Sequence, residues 1–211
     1  MKTDLAKAYK RYYTAPRDPE LITLETLPYL SITGKGDPSG EEFARSVEAL
    51  YTVAYALKFA SKEKGADFVV PKLEGLWWYD ETRYKDVSAE EAPVSIPRSE
   101  WEYRLMIRMP DAKLGDVFPS AKAQAFQKKK NPRIEHVEWF VLSEGTCVQI
   151  LHEGPFDQEP VTISKIKSFM DERGLKRKGV HHEIYLSDFR KTSPEKLKTI
   201  LREPVEVNSP R

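Results

Sequence analysis

The stretch Val180-His181-His182-Glu183-Ile184-Tyr185-Leu186 predicts the strand from which the rest of the chain can be interpreted. Alternate residues of a strand share a face, so His181, Glu183 and Tyr185 point to one side. A carboxylate and a phenol in the middle of a strand are costly to bury without a purpose. Glu183 and Tyr185 are therefore candidate catalytic residues. The alternative that the pattern leaves open is a surface strand whose polar face meets water.

The neighbouring histidines do not indicate a metal site. His181 and His182 face opposite sides of a strand, so they cannot bind one ion without distortion. The other histidines, His136 and His152, fall on separate predicted elements, and Cys147 is the only cysteine. We therefore expect no metal and no cofactor.

Aromatic residues in two further strands are candidate ligand-binding residues. In the stretch 73–79 (LEGLWWY), Trp77 and Tyr79 share one face and Trp78 lies on the other. Flat aromatic side chains suit planar or cationic ligands, although plain core packing is the alternative for each tryptophan. The expected ligand-binding set is Trp77, Trp78, Tyr79, Trp101, Tyr103 and His181.

The order of predicted elements repeats along the chain. Each half has a strand, a loop with glycine and proline, a helix and two more strands, and Leu76–Asp80 aligns with Ile184–Asp188. Such a repeat predicts an α+β fold of two strand-helix-strand-strand modules in a pseudo-two-fold antiparallel sheet. We expect helices on one face of this sheet and a ligand groove on the other.

The same pattern gives the domain boundaries. Residues 1–20 are predicted to form an N-terminal helical extension and connector, and residues 21–207 a single domain. Within that domain, module one covers about 21–109, a linker helix about 110–136 and module two about 137–207.

Composition excludes several classes of partner. Among 211 residues, 34 Lys and Arg balance 33 Asp and Glu, which leaves no electrostatic footprint for nucleic acid or an anionic membrane. The start lacks the apolar core of a signal peptide, and no segment approaches the ~20 apolar residues of a membrane span. One cysteine fits a reducing compartment, so we expect a cytoplasmic protein. The expected partner is a small planar or lipophilic molecule, and the oligomeric state is left open.

Six segments together resemble the stand-alone GyrI-like small-molecule-binding proteins: Ile32–Pro38, Ala49–Tyr55, Leu73–Trp78, Leu105–Arg108, Val148–His152 and His181–Asp188. The resemblance implies two modules with a ligand groove between them and a glutamate at its floor, which falls on Glu183. Some relatives hydrolyse cyclopropane rings of DNA-alkylating toxins with a glutamate and a tyrosine, which fall on Glu183 and Tyr185. Phe189 departs from the family pattern, which has a proline after Ser-Asp.

Three functional hypotheses follow. The first is a cyclopropanoid hydrolase in which Glu183 is the general base and Tyr185 donates a proton or hydrogen bond to the oxygen that gains charge. The second is a non-catalytic binder that sequesters lipophilic or cationic drugs. The third is a protein-interaction role such as topoisomerase modulation. The DNA-binding helices of the family's regulators are absent from the sequence, so the resemblance does not imply a regulator.

Overall fold

One antiparallel sheet forms the centre of the computed structural model, which describes residues 2–88 and 90–207. Its strands follow the order β1-β6-β9-β8-β3-β4-β2-β5, and β7 pairs with the far end of β9. Their bounds are β1 Glu20–Leu24, β2 Leu27–Lys35, β3 Leu73–Trp78, β4 Glu102–Arg108, β5 Glu138–Leu142, β6 Gly145–Glu153, β7 Leu175–Arg177, β8 His181–Tyr185 and β9 Lys198–Val207.

Two long helices, each from one half of the chain, pack on the same face of this sheet. The α-helices of the described ranges are α1 Leu5–Ala8, α2 Glu41–Glu63, α3 Ala92–Ser95, α4 Phe118–Lys129 and α5 Glu159–Glu172. In α2, apolar residues at helical spacing such as Val47, Leu50 and Leu57 are buried against β2 and β4. In α5, Ile163 and Ile166 pack on β6 and β9. The predicted α+β class and antiparallel sheet are confirmed.

The pairing registers of the sheet obey a pseudo-two-fold rotation centred on the β3–β8 pair. Gly75 of β3 lies directly opposite Glu183 of β8. On its other side Gly75 faces Leu105 of β4, and Glu183 faces Leu201 of β9. The internal repeat of the sequence therefore appears as a symmetry of the hydrogen-bond ladder, with Gly75 and Glu183 as equivalent positions.

The first strand of each half pairs with the other half. β1 pairs with β6 over Glu20–Leu24, and β5 pairs with β2 over Leu27–Ser31. Each edge of the sheet is thus closed by a strand from the opposite half of the chain.

Residues 2–20 cover the sheet face opposite α2 and α5. Leu5, Tyr12 and Tyr13 pack against Ile184 and Ile200, which point away from the helices. Backbone hydrogen bonds fix this segment, including Leu151 N–H to Pro16 O at 2.7 Å. The groove expected on this face lies instead on the helix face, because the N-terminal extension fills the space that we assigned to the ligand.

A buried polar network joins the extension to the sheet. The Tyr12 hydroxyl donates to Glu74 at 2.5 Å, and Glu74 and Glu144 each lie 3.0 Å from a ring nitrogen of His182. Arg202 donates to the backbone oxygen of Tyr12 at 3.1 Å. Burial opposes protonation of His182, but Glu144 and then Glu74 outweigh it and raise the His182 pKa.

No helix in the described ranges has the length and apolar character needed to cross a membrane.

Candidate functional site

A cavity of about 620 Å³ lies between α2 and α5, above the β3–β8 pair. This volume is within the range typical of small-molecule sites. Several aromatic side chains line its walls: Phe43, Trp77, Tyr79, Trp101, Phe156 and Phe189. Trp77 stacks on Phe43 with ring centroids 5.9 Å apart, and Trp101 meets both Trp77 and Tyr79 edge-on. The walls therefore present flat apolar surfaces to a ligand.

Glu183 lies at the floor of this cavity, where 9% of its surface remains exposed. Its neighbour Tyr185 is 6% exposed and accepts a hydrogen bond of 2.9 Å from Trp77 Nε1. Because Trp77 uses the phenol oxygen as an acceptor, the single Tyr185 hydroxyl proton remains available to a neighbouring acceptor, and Glu183 is the nearest carboxylate on the same face of β8. Burial and the negative charge of Glu183 raise the Tyr185 pKa well above its usual value. Tyr185 therefore lies on the same strand face as Glu183 with its phenol oxygen already bonded to Trp77.

His181 lies between two carboxylates on the same floor. Its Nδ1 is 2.6 Å from Glu203 Oε1, and its Nε2 is 3.4 Å from Glu183 Oε1. Burial favours the neutral imidazole, but the two carboxylates outweigh it and raise the His181 pKa to about 10. On the far side, Arg177 Nε lies 3.3 Å from Glu203 Oε2. At neutral pH His181 is thus an imidazolium that is hydrogen-bonded to Glu203, while its Nε2, which has no hydrogen-bond partner among the described residues, lies near Glu183.

A third carboxyl group, Glu159, faces the same cavity from the first residue of α5. It is 6% exposed, and its Oε1 has no hydrogen-bond partner among the described residues. Burial, followed by the charge of Glu183, raises the Glu159 pKa well above its usual value, although His181 opposes the shift.

The position of Glu159 at a helix N-terminus favours its ionised form instead. A helix N-terminus favours a carboxylate by up to ~2 kcal/mol in partly buried sites. Removing a carboxylate from water without a hydrogen-bond partner at Oε1 costs several kcal/mol, so burial outweighs the helix N-terminus and the Glu159 pKa is raised.

The structure brings six of the predicted site residues together around one cavity: Trp77, Tyr79, Trp101, His181, Glu183 and Tyr185. Trp78 is not among them. It lies on the opposite face beside Leu76 and Val180 and donates to Glu102 at 3.2 Å, because strand alternation separates it from Trp77.

Tyr103 shares the face of Trp77 but is not part of the cavity wall. It is buried behind Phe43 and Trp77, with ring centroids 5.1 and 5.6 Å away. Its ring lies over Gly34, where a Cβ atom would be 2.3 Å from the Tyr103 hydroxyl oxygen. Tyr103 therefore supports the aromatic wall from behind.

Sequence reasoning missed several residues of the site: Phe43, Phe156, Glu159, Phe189 and Glu203. Glu203 could have been found, since it lies between Leu201 and Val205 on one face of a predicted strand. Phe189, noticed only as a departure from the family pattern, packs edge-on against Tyr185 with centroids 5.5 Å apart. Within the described part of the chain, no three His, Cys, Asp or Glu residues are arranged to hold a metal ion.

Comparison with known proteins identifies the family. The profile of the GyrI-like small-molecule-binding domain matches residues 17–206. Among solved structures, an uncharacterized conserved protein from Listeria innocua is 38% identical, with a TM-score of 0.86 over 97% of this chain and 100% of its own. A protein from the same organism that is described as a hydrolase is 39% identical, with a TM-score of 0.83 over the same shares. No curated protein matches the sequence.

A more distant structure shares only the fold. The C-terminal domain of EcmrR is 11% identical and has a TM-score of 0.54 over 90% of this chain and 98% of its own. Because the family profile covers nearly the whole chain and the Listeria structures align along their full length, the chain belongs to the GyrI-like small-molecule-binding family.

Proposed function

We propose that this protein is a hydrolase of small lipophilic electrophiles, and that it opens cyclopropane rings of cyclopropanoid genotoxins with Glu183 as general base. The observation that carries the proposal is the Glu183 carboxylate, which lies beside Tyr185 and 3.4 Å from His181 Nε2 at the floor of an aromatic cavity. The similarity to a Listeria protein described as a hydrolase supports the reaction type.

The aromatic walls would bind the substrate and orient its ring. Trp77 and Trp101 meet at 75° and offer two flat surfaces, so a planar substrate can stack on one and contact the other edge-on. A cavity of about 620 Å³ has room for one flat group of drug-like size together with the attacking water. Holding the strained carbon near the Glu183 carboxylate replaces a random encounter with a fixed geometry.

The reaction adds one water molecule. Glu183 takes a proton from water as its oxygen attacks a carbon of the cyclopropane ring. One carbon–carbon bond of the ring breaks, and its electron pair moves into a carbonyl group conjugated with the ring. The carbonyl oxygen becomes anionic and then takes up one proton, which completes the addition of water. General base catalysis of this kind contributes ~10²–10⁴-fold, which suffices when ring strain already lowers the barrier.

The test is to incubate the protein with a cyclopropane conjugated to a carbonyl group, in water labelled with heavy oxygen. Mass spectrometry should detect a product heavier by one labelled water. Glu183→Gln should retain binding and lose turnover, because the amide is nearly isosteric and cannot accept the proton. Glu172→Gln is the matched control, since Glu172 is exposed at the far end of α5.

A sequestering binder would give a different result. The wild type would then bind the compound without ring opening, and Glu183→Gln would weaken binding of cations more than of neutral compounds. Ring opening that persists in Glu183→Gln at the wild-type rate would refute the general-base assignment.

A further inference from the structure

The proposed hydrolysis requires a proton donor as well as a base, because the substrate oxygen becomes anionic when the ring opens. Tyr185 is poorly suited to this role. Trp77 Nε1 donates to the phenol oxygen at 2.9 Å, and burial together with the Glu183 charge raises the Tyr185 pKa well above its usual value, so the phenol is a weak acid in this site. A second acid in the cavity would leave Tyr185 free to hold the base.

We propose that Glu159 is the general acid of the reaction and donates its carboxyl proton to the substrate oxygen. This inference rests on the proposed function, and it adds a catalytic residue that the sequence did not indicate. Its basis is the geometry of the cavity: a buried carboxyl group that lines the same space as the base and lacks a hydrogen-bond partner at Oε1 in the described ranges.

Glu159 comes from a different layer of the protein than Glu183. Glu159 begins α5, above the sheet, whereas Glu183 lies in the central strand β8. A ligand in the cavity between helix and sheet can therefore contact both groups, one at its attacked carbon and one at its oxygen. Two carboxyl groups with separated protonation states form an acid–base pair of the kind found in many hydrolytic enzymes.

The protonation state of Glu159 follows from its surroundings. Burial and the adjacent Glu183 charge favour the neutral acid, as their effect on its pKa indicates. The other titratable and charged groups that line the cavity are Tyr79 after β3, Arg98 before β4, Asp157 from the turn before α5, Arg177 from β7, His181 and Tyr185 from β8, and Glu203 from β9.

His181 is the main competitor for the role of donor. Its Nδ1 is engaged with Glu203 at 2.6 Å, but its Nε2 has only Glu183 at 3.4 Å. Loss of the Nε2 proton to the substrate would leave Glu183 and Glu203 without the cation that fixes them. Glu159 is free of this conflict, because its proton is not part of an ion pair.

As the ring bond breaks, the Glu159 O–H bond breaks and its proton joins the substrate oxygen. Glu159 becomes a carboxylate while Glu183 holds the proton taken from water. Transfer of that proton to Glu159, directly or through a water molecule, restores both groups for the next turnover.

The experiment uses the full chain with Glu159→Gln, Glu159→Ala and the control Glu172→Gln. We expect Glu159→Gln to lower kcat by about 10²-fold or more, with ligand affinity within threefold of wild type. Affinity is measured by quenching of the tryptophan fluorescence. In the wild type, kcat should fall as pH rises, because Glu159 loses its proton. This fall in kcat should be absent in Glu159→Gln. It should still be present in His181→Asn.

A second measurement needs no substrate. The infrared difference spectrum between wild type and Glu159→Gln should contain the C=O stretch of a protonated carboxylic acid at neutral pH. Absence of this band overturns the inference, as does a Glu159→Gln kcat within threefold of wild type. A wild type that opens no ring refutes the proposed function itself, whereas an active wild type with an unaffected Glu159→Gln refutes only the role of Glu159.

Discussion

Gly75 lies directly opposite Glu183, and its missing side chain leaves room for the residues that hold that carboxylate. A Cβ atom at Gly75 would lie 2.8 Å from Trp77 Nε1 and 3.0 Å from the Tyr185 hydroxyl oxygen. The hydrogen bond between Trp77 and Tyr185 therefore depends on glycine at this position. Gly75 is the pseudo-symmetric equivalent of Glu183, so the first half of the sheet carries no side chain at the position where the second half carries the carboxylate.

Gly75→Ala should consequently displace the Trp77–Tyr185 pair. We expect a loss of about 1–3 kcal/mol in the free energy of unfolding, as for other overpacked sites, together with reduced turnover. Urea unfolding measures the first effect. In a Trp77→Phe background, which lacks the indole nitrogen, the cost of Gly75→Ala should be smaller. Equal costs in the two backgrounds would contradict the proposed contact.

Tyr185→Phe should separate positioning from proton transfer. The variant removes the hydroxyl that lies beside Glu183 and leaves the Trp77 N–H without its acceptor, which should cost about 1–3 kcal/mol of stability. The base itself remains, so we expect a smaller loss of turnover than in Glu183→Gln. Steady-state kinetics of the two variants side by side provide the test, and a larger loss in Tyr185→Phe would argue against a positioning role.

His181 should make stability depend on pH. Its pKa is about 10 in the folded protein, above the ordinary value of about 6.5 in the unfolded chain. The stabilisation is therefore complete below about pH 6.5 and is lost as pH rises toward about 10. His182 adds a contribution of the same sign, since its folded-state pKa is also raised.

Denaturant unfolding across this pH range tests the contribution of His181. His181→Asn should flatten the decline in unfolding free energy but not abolish it, because His182 still contributes. His136→Asn changes an exposed histidine and should leave the slope as in wild type. An unchanged slope in His181→Asn would show that the imidazolium pairs contribute nothing.

The charge of the site should influence which ligands bind. Glu183 and Glu203 face the cavity and share the His181 imidazolium, while Arg177 lies beside Glu203. We expect lipophilic cations and neutral planar compounds to bind more tightly than anions of similar size, because an anion would approach the Glu183 carboxylate. Dye displacement with matched compounds measures this preference, and tighter binding of the anions would refute it.

Much of the sheet could be predicted from local patterns. Strand alternation placed His181, Glu183 and Tyr185 on one face, and the repeated element order predicted the pseudo-symmetry that the registers of β3 and β8 display. Alternation does not tell which face the helices cover, however. The repeat predicts a groove on the face opposite the helices, which the N-terminal segment fills. Nothing in the sequence of that polar segment indicates where Tyr12 and Tyr13 dock.

The site was harder to predict than the sheet. Glu159 precedes Pro160 at a helix start, a place where acidic residues are ordinary, and only the packing of α5 over the sheet makes it buried. The start of α2 also could not be predicted from residue spacing alone. The spacing of Ser39 and Glu42 is typical of a capping box, but Gly40 is the N-cap of α2 and Asp37 accepts from the Ser39 N–H at 2.8 Å.

The exchange of first strands between the halves has a consequence for how the chain reaches its native state. Neither half can complete its part of the sheet alone, because β6 needs β1 and β2 needs β5 as outer neighbours. An isolated half would expose an unpaired strand edge, which is a site for aggregation. Although the sequence repeats, the two repeats therefore cannot act as separate folding units, and the chain should unfold in one cooperative transition.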